Sequence, residues 1–260
     1  MDVLSKKGFV IGVLHLPPFL GSARPGAKPM SYIEQFALAN MEIFKEGDFD
    51  GVMLQDGCMS GPTPPETIAG LTAVGRLLRT RFDTPLGITI NSHAPQESLA
   101  IAQAIGANFV RLKVFVGAMI KSEGLLQGCA YEALQYRARI QAPEIKIIAD
   151  VHDRSGVALG DVSLEEAAGQ AARSADALVL TGKDWQESLD FHRRIRATNP
   201  KIPLVLGGGA TADNIAEVLS IADGVIVSTW LMKKQQKPDD LIHWDLDKIK
   251  ALMKAARSAK

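Results

Sequence analysis

Residues 145–181 read IKIIADVHDRSGVALGDVSLEEAAGQAARSADALVLT and contain two short apolar runs with an amphipathic segment between them. The runs at 145–151 and 177–181 predict buried strands, and the segment at 164–174 predicts a helix. Two parallel strands need a crossover connection of this kind. The stretch therefore predicts one β-α-β unit.

The same alternation continues in both directions from this unit. The other predicted strands are 9–15, 51–55, 86–91, 109–115, 203–206 and 224–228, and the other helices are 32–45, 65–81, 96–105, 126–140, 185–197, 212–221 and 246–256. Eight repeats joined by right-handed crossovers predict a closed (β/α)8 TIM barrel of the α/β class. About 250 residues form one such domain, so we expect residues 1–260 to be a single domain. An open dinucleotide-binding sheet would show GxGxxG after its first strand, where this chain has HLPPFLG.

Charge and cysteine content exclude several classes of function. Lys and Arg number 29, as do Asp and Glu, so no basic excess would attract a nucleic acid or an anionic membrane. The apolar stretch at 9–20 is too short to span a bilayer, and the two cysteines form no CxxC. We expect a cytoplasmic protein with no nucleic-acid partner and no membrane insertion. The sequence is compatible with a homo-oligomer.

Side-chain alternation along the strands predicts a polar barrel mouth. In 109–115 the apolar residues alternate with Arg111 and Lys113, so these two cations should point inward, as should Asp150 and His152. The other residues that should point inward at strand ends are His15, Gln55 or Asp56, Thr89, Asn91, Thr181 and Lys183. An ion pair between Arg111 and Asp150 could simply fill the barrel, but it would not account for the remaining groups. Barrel enzymes keep their active sites at this end of the strands.

A phosphate site is predicted after the seventh and eighth strands. Gly207, Gly208 and Gly209 let backbone N–H groups approach an oxyanion, with Thr211 or Asp213 capping the following helix. Ser228 and Thr229 would close the other side. The proline-rich loops at 16–30 and 62–65 are expected to act as a lid or to wrap the rim.

No metal-binding motif is present in the sequence. HExxH is absent, and the nearest cluster is Asp150, His152 and Asp153, with His15 as a further candidate. We expect no cofactor. A Mg²⁺ ion bound together with a substrate phosphate is the alternative. Cys58 is expected to be inert, and His192 and His243 are expected to lie on the surface.

Several strings together resemble the BtpA/SgcQ family over nearly the whole chain. They are VLHLPP at 13–18, FVRLKVFVGA at 109–118, GLLQG at 124–128, ADVH at 149–152, VLTGK at 179–183 and GVIVS at 224–228. The resemblance implies a barrel related to phosphate-binding barrels. Members are linked to photosystem I biogenesis in cyanobacteria and to sugar-utilisation gene clusters in other bacteria. The chain departs from the family pattern at 55–59, at 89–94 and at Lys113, all at the mouth.

These observations predict an enzyme that acts on a phosphorylated sugar or a related small phosphate ester. Lys183 or Lys113 would form a Schiff base or stabilise an enolate, and a neighbouring cation such as Arg111 favours the neutral amine that a nucleophile needs. The predicted acid–base groups are Asp150, His152 and His15, and the predicted substrate-binding groups are Arg111, Asn91, Gln55 and Thr181. The expected reaction is aldol cleavage or isomerisation, and hydrolysis or a phosphoribosyl-type lyase reaction would also fit these groups. The alternative is a non-catalytic assembly or regulatory protein.

Overall fold

The computed structural model describes residues 2–58, 61–152, 154–199, 201–235, 237 and 240–259. Their strands are β1 (Phe9–His15), β2 (Gly51–Gln55), β3 (Leu86–Thr89), β4 (Phe109–Leu112), β5 (Ala118–Lys121), β6 (Gly124–Gln127), β7 (Lys146–His152), β8 (Val157–Ala158), β9 (Ala177–Leu180), β10 (Leu204–Leu206) and β11 (Gly224–Val227). The α-helices are α1 (Met30–Glu46), α2 (Pro65–Arg79), α3 (Pro95–Ile105), α4 (Ala130–Arg139), α5 (Leu164–Ala171), α6 (Trp185–Thr198), α7 (Ile215–Ile221) and α8 (Leu246–Ser258).

Within the described residues, eight parallel strands close into a barrel in the order β1-β11-β10-β9-β7-β4-β3-β2. The predicted TIM-barrel fold is confirmed, and β1 and β2 have the predicted bounds. The strand predicted at 109–115 ends at Leu112, because Val114 takes a positive φ of 46° that no strand residue adopts.

Apolar side chains fill the lower part of the barrel interior. The cluster comprises Val3, Leu4, Phe9, Ile11, Val13, Met53, Phe109, Ile148, Ala177, Val179, Val205 and Ile226. Glycines make room for its two aromatic rings: a Cβ on Gly87 would lie 2.0 Å from Phe109, and one on Gly224 would lie 2.3 Å from Phe9. The alternate strand residues pack outward against the helices in a larger second cluster.

A small three-stranded sheet stands on the mouth, and the sequence did not predict it. β5 pairs with both β6 and β8 in antiparallel register, so the connection after β4 and the connection after β7 are joined. The prediction that a helix begins at 126 was wrong, because residues 124–127 form β6 and α4 begins at Ala130. Gly124 turns the hairpin with a φ of 99°.

Candidate active site at the barrel mouth

Directly above the apolar cluster, the inward-facing residues are polar, apart from one glycine. They are His15, Gln55, Thr89, Asn91, Arg111, Asp150, Thr181, Gly207 and Ser228. Hydrogen bonds tie neighbours in this layer together. Gln55 Nε2 donates to Asn91 Oδ1 (2.9 Å), and Thr89 Oγ1 donates to the carbonyl of Arg111 (3.3 Å). The structure therefore brings together the predicted inward groups that lie within strands.

The predicted ion pair between Arg111 and Asp150 is present. Arg111 Nε lies 2.9 Å from Asp150 Oδ1, and its Nη2 lies 3.1 Å from Oδ2. The Asp150 side chain is 3% exposed and that of Arg111 is 17% exposed. This bidentate geometry holds both side chains in fixed orientation across β4 and β7.

Three cations surround His15 at the end of β1. Burial lowers the pKa of His15 to about 4, and the nearby charges of Arg24, Arg111 and Lys113 act in the same direction. The ring is therefore neutral at pH 7. Lys113 Nζ donates to the carbonyl of Asn91 at 3.3 Å, which places the lysine inside the mouth, as predicted.

Asp56 is a buried carboxyl beside this cationic group. Its oxygens accept hydrogen bonds from the backbone N–H of Asn91 (2.6 Å) and of Cys58 (3.2 Å). Burial raises the pKa of Asp56, and the charge of Lys113 opposes that rise. The sequence offered Gln55 or Asp56 at this position, and both line the mouth.

A cavity of about 660 Å³ opens next to His15, Gln55 and Asp56. Its outer wall is the loop between β1 and α1, including Arg24, whose Nη1 donates to the carbonyl of Gly57 at 3.3 Å. A cavity of this size suits a small metabolite. The sequence predicted a role for this loop from its prolines and glycines, but Arg24 was not predicted to contribute to the site. The available signal was a cation within a loop at the mouth.

Two histidines expected on the surface lie inside. His192 is fully buried on the inner face of α6, and its Nδ1 donates to the carbonyl of Ser188 at 2.6 Å. His243 is half-buried, lies edge-on to Phe36 with ring centroids 4.7 Å apart, and lines the cavity beside His15. The prediction failed for His243 because the segment before α8 folds back over α1, where Asn40 binds the backbone N–H of His243 at 2.9 Å.

His152 does not point into the barrel, contrary to the prediction. The pairing of β7 with β9 shifts register between Asp150 and His152, so His152 lies beside the outward-facing Leu180. Its ring contacts Phe191 of α6 edge-on at 5.0 Å, and Nδ1 donates to the carbonyl of Thr181 at 2.7 Å. The β-bulge reversed the alternation on which the prediction depended.

Lys183 lies on the rim, and its predicted inward orientation is also wrong. The side chain is 76% exposed, and Nζ lies 3.8 Å from Oε1 of Glu187 on the first turn of α6. β9 ends at Leu180, so the alternation no longer applies three residues later.

The predicted phosphate loop is an irregular turn with open backbone geometry. Gly208 and Gly209 have φ values of 155° and 83°, and a Cβ on Gly207 would lie 2.0 Å from Thr181 Oγ1. The side chain of Asn214, rather than the predicted Thr211 or Asp213, fixes the turn. Thr229 begins a 3₁₀ turn directly after Ser228.

Two hydroxyl groups beside this turn have no hydrogen-bond partner in the described part of the chain. They are Thr181 Oγ1 and Ser228 Oγ, and both atoms are buried. A buried hydroxyl without a partner is unfavourable by about 1–3 kcal/mol, so such atoms are suited to hydrogen-bond a ligand.

The described residues form neither a metal cluster nor a membrane-spanning helix. No group of three or more His, Cys, Asp or Glu side chains among the described residues is placed to hold a metal. Asp153, one of the metal ligands considered from the sequence, lies outside those residues. Across the same residues, no helix has the length and apolar character needed to cross a bilayer.

A family model described as the BtpA family matches residues 6–258. The chain belongs to the BtpA family. The photosystem I biogenesis protein BtpA of Synechocystis is 31% identical over 233 residues, which cover 86% of this chain and 80% of that protein. An uncharacterized Pyrococcus furiosus protein is 31% identical over 259 residues, covering 97% of both. The resemblance to BtpA that the sequence indicated is confirmed.

Solved structures with a similar fold include a synthase chain and an isomerase. A chain of the Pyrococcus furiosus tryptophan synthase complex superposes with a TM-score of 0.61 at 14% identity, covering 96% of this chain and 99% of that one. Phosphoribosyl anthranilate isomerase from Thermus thermophilus gives a TM-score of 0.56 at 14% identity, covering 97% and 100%. Identities this low establish a shared barrel fold only.

Proposed function

We propose that this BtpA-family protein is an enzyme that acts on a phosphorylated sugar or a related small phosphate ester at the barrel mouth. The observation that carries the proposal is the pair of buried, unpartnered hydroxyls on Thr181 and Ser228, which flank the turn at Gly207. A phosphate oxygen accepts hydrogen bonds from hydroxyl and backbone N–H groups, and it would satisfy both atoms. The solved isomerase and synthase barrels with a similar fold make a small-molecule enzyme a reasonable expectation.

The chemical step is assigned to the groups around His15. Lys113 is the proposed amine, because it lies inside the mouth near His15 and Asp56, whereas Lys183 is exposed and faces Glu187. The amine would condense with a substrate carbonyl, releasing water and giving an imine that favours aldol cleavage or isomerisation. His15 is neutral at pH 7, and its low pKa suits the ring to hydrogen-bond the substrate rather than to act as a strong base.

Asp150 and His152 take other roles in this proposal. Asp150 holds Arg111 in place for substrate binding through the bidentate pair. His152 supports the backbone of Thr181 from outside the barrel. Gln55 and Asn91, which are hydrogen-bonded to each other, would bind substrate hydroxyls next to the cavity.

Borohydride trapping with a panel of sugar phosphates, read by intact mass, tests the chemical step. We expect an adduct on the native chain that is lost in Lys113→Met and kept in Lys183→Met. The opposite pattern would assign the amine to Lys183. A folded Lys113→Met variant that still forms the adduct would contradict the assignment to Lys113.

Binding of the same sugar phosphates tests the phosphate site. Gly208→Asp adds a negative charge to the turn, and Gly208→Ala is its matched control because both variants strain the same backbone φ. Affinity should fall at least about tenfold more in the Asp variant than in the Ala variant. If no phosphorylated compound binds the native protein, the enzyme proposal fails and a non-catalytic role in assembly becomes the better hypothesis.

A further inference from the structure

We propose that the cavity beside His15 is a second anion subsite, so that the ligand carries another anionic group besides the phosphate at the glycine turn. This inference rests on the proposed function and narrows its substrate class. The ligand would be a small molecule with a phosphate at one end and a carboxylate or second phosphate at the other. Such an anion would lie between the guanidinium of Arg24 and the ring of His15.

The arrangement of charges is the first reason. Arg24 comes from the loop after β1, whereas Arg111 and Lys113 come from β4 and the residues just after it, and the charges of all three act on His15. Two carboxyls of the mouth have partners of their own. Asp150 is paired with Arg111, and Asp56 is buried and accepts two backbone hydrogen bonds.

Arg24 has no carboxylate within 4.0 Å among the described residues. One N–H of its guanidinium donates to the carbonyl of Gly57. A guanidinium has five N–H donors in a planar fork that matches a carboxylate or phosphate. Arg24 lines the cavity beside His15 and is suited to bind an anion there.

A second cavity adjoins the first one at Arg24. It has a volume of about 1000 Å³ and shares Arg24, Pro25 and Asn91 with the cavity beside His15. The arginine therefore lies at the boundary between the two cavities. Glu123 lines the second cavity, so the anion is placed on the His15 side.

Contacts with β2 and α2 anchor the loop that carries Arg24. The backbone N–H of Leu16 donates to the carbonyl of Gln55 on β2 (2.9 Å), and that of Lys28 donates to the carbonyl of Pro18 within the loop (2.9 Å). Phe19 is buried against α2, where a Cβ on Gly70 would approach its ring to 2.4 Å. An arginine on a loop fixed in this way is positioned before the ligand binds, which lowers the entropic penalty of binding.

His243 supplies a further polar atom in the same cavity. Its Nε2 is buried and has no hydrogen-bond partner in the part of the chain that the structure describes. The ring comes from the segment before α8, on the opposite side of the cavity from β2 and β3. A ligand hydroxyl in the cavity could donate to this nitrogen, which is an acceptor when the ring is neutral and Nδ1 donates to a backbone carbonyl.

Three probes of similar size distinguish a second anion subsite from a single phosphate site. Glucose 6-phosphate carries one anionic group, 6-phosphogluconate adds a carboxylate, and fructose 1,6-bisphosphate adds a phosphate. Calorimetry should show binding at least about tenfold tighter for one or both doubly anionic probes. The preferred probe tells whether the second group is a carboxylate or a phosphate.

The variant Arg24→Gln tests whether the tighter binding of the doubly anionic probes comes from this cavity. We expect the variant to lose the preference for the doubly anionic probes and to keep the affinity for glucose 6-phosphate. Arg81→Gln, which changes an exposed arginine after α2 at the opposite end of the barrel, is the matched control and should leave all three affinities unchanged. NMR titration should show the pKa of His15 rising when the preferred probe binds, but not with glucose 6-phosphate.

The outcomes separate the two proposals. Equal affinity of the native protein for all three probes would overturn the second subsite while leaving the phosphate site intact. Equal losses for all three probes in Arg24→Gln would also overturn it, because Arg24 would then serve the shared phosphate. Failure of every probe to bind would remove the proposed function itself.

Discussion

Breaking the ion pair between Arg111 and Asp150 should strongly destabilise the barrel. The two side chains are 17% and 3% exposed and share two hydrogen bonds of 2.9 and 3.1 Å. Asp150→Ala would leave a largely buried guanidinium without this carboxylate, and Arg111→Met would leave a buried carboxylate without its cation. Losing one partner of such a pair lowers the free energy of unfolding by about 3–5 kcal/mol.

The double variant Arg111→Met/Asp150→Ala separates the pair from the individual residues. Once both charges are gone, neither is left unpaired, so the double variant should be more stable than the sum of the single effects by about 2–3 kcal/mol. Urea unfolding followed by tryptophan fluorescence measures each free energy. The thermal midpoints of the single variants should fall by roughly 10 °C, given about 2–4 °C per kcal/mol in a chain of this size.

An exposed pair on α6 is the internal control for this cycle. Arg193 and Asp190 lie 2.6 Å apart, but their side chains are 53% and 67% exposed, so breaking that pair should change stability by less than about 1 kcal/mol. Additive effects at Arg111 and Asp150, or single effects as small as those on α6, would refute the reasoning.

Three further predictions concern other parts of the barrel. Because the pKa of His15 is about 4 when folded and about 6.5 when unfolded, the unfolded chain binds the proton first as pH falls. Stability should therefore drop by about 3 kcal/mol between pH 6.5 and pH 4, and His15→Gln should lack this loss in urea unfolding at each pH. Gly87→Ala should lower the free energy of unfolding by about 1–3 kcal/mol, since its Cβ would lie 2.0 Å from Phe109, and Phe109→Leu in the same chain should recover part of the loss. Cys58 and Cys129 are buried, and burial raises the pKa of Cys129 to about 12, so neither thiol should react rapidly with iodoacetamide in the folded protein at pH 8; fast labelling seen by mass would contradict this.

The barrel could be predicted from the sequence because its signals are local and repeated. Each strand is a short apolar run, and each helix shows its own amphipathic pattern, so small errors at the ends do not change the number of units. The mouth sheet was missed for the opposite reason. β5, β6 and β8 have two to four residues each, and pairing between distant connections stabilises them.

Alternation predicts orientation only while a strand remains regular. His15, Gln55, Arg111 and Asp150 lie within regular strand segments, and their inward orientation follows from that rule. The bulge after Asp150 turned His152 outward, and no residue in 145–152 predicts a bulge. A lysine beyond a strand end, such as Lys183, depends on the local turn, which alternation does not describe.

The loops at the barrel mouth lie beyond the strand ends, where side-chain alternation no longer predicts orientation. Arg24 belongs to a loop of no regular period, and it lies near His15 because the Phe19 ring and the hydrogen bond from Leu16 to Gln55 hold the loop over the mouth. Those contacts join residues tens of positions apart, so composition and spacing do not encode them. Charged residues within the predicted strands, such as Arg111 and Lys113, were therefore the strongest sequence signal for the site, and the loop that completes it required the three-dimensional structure.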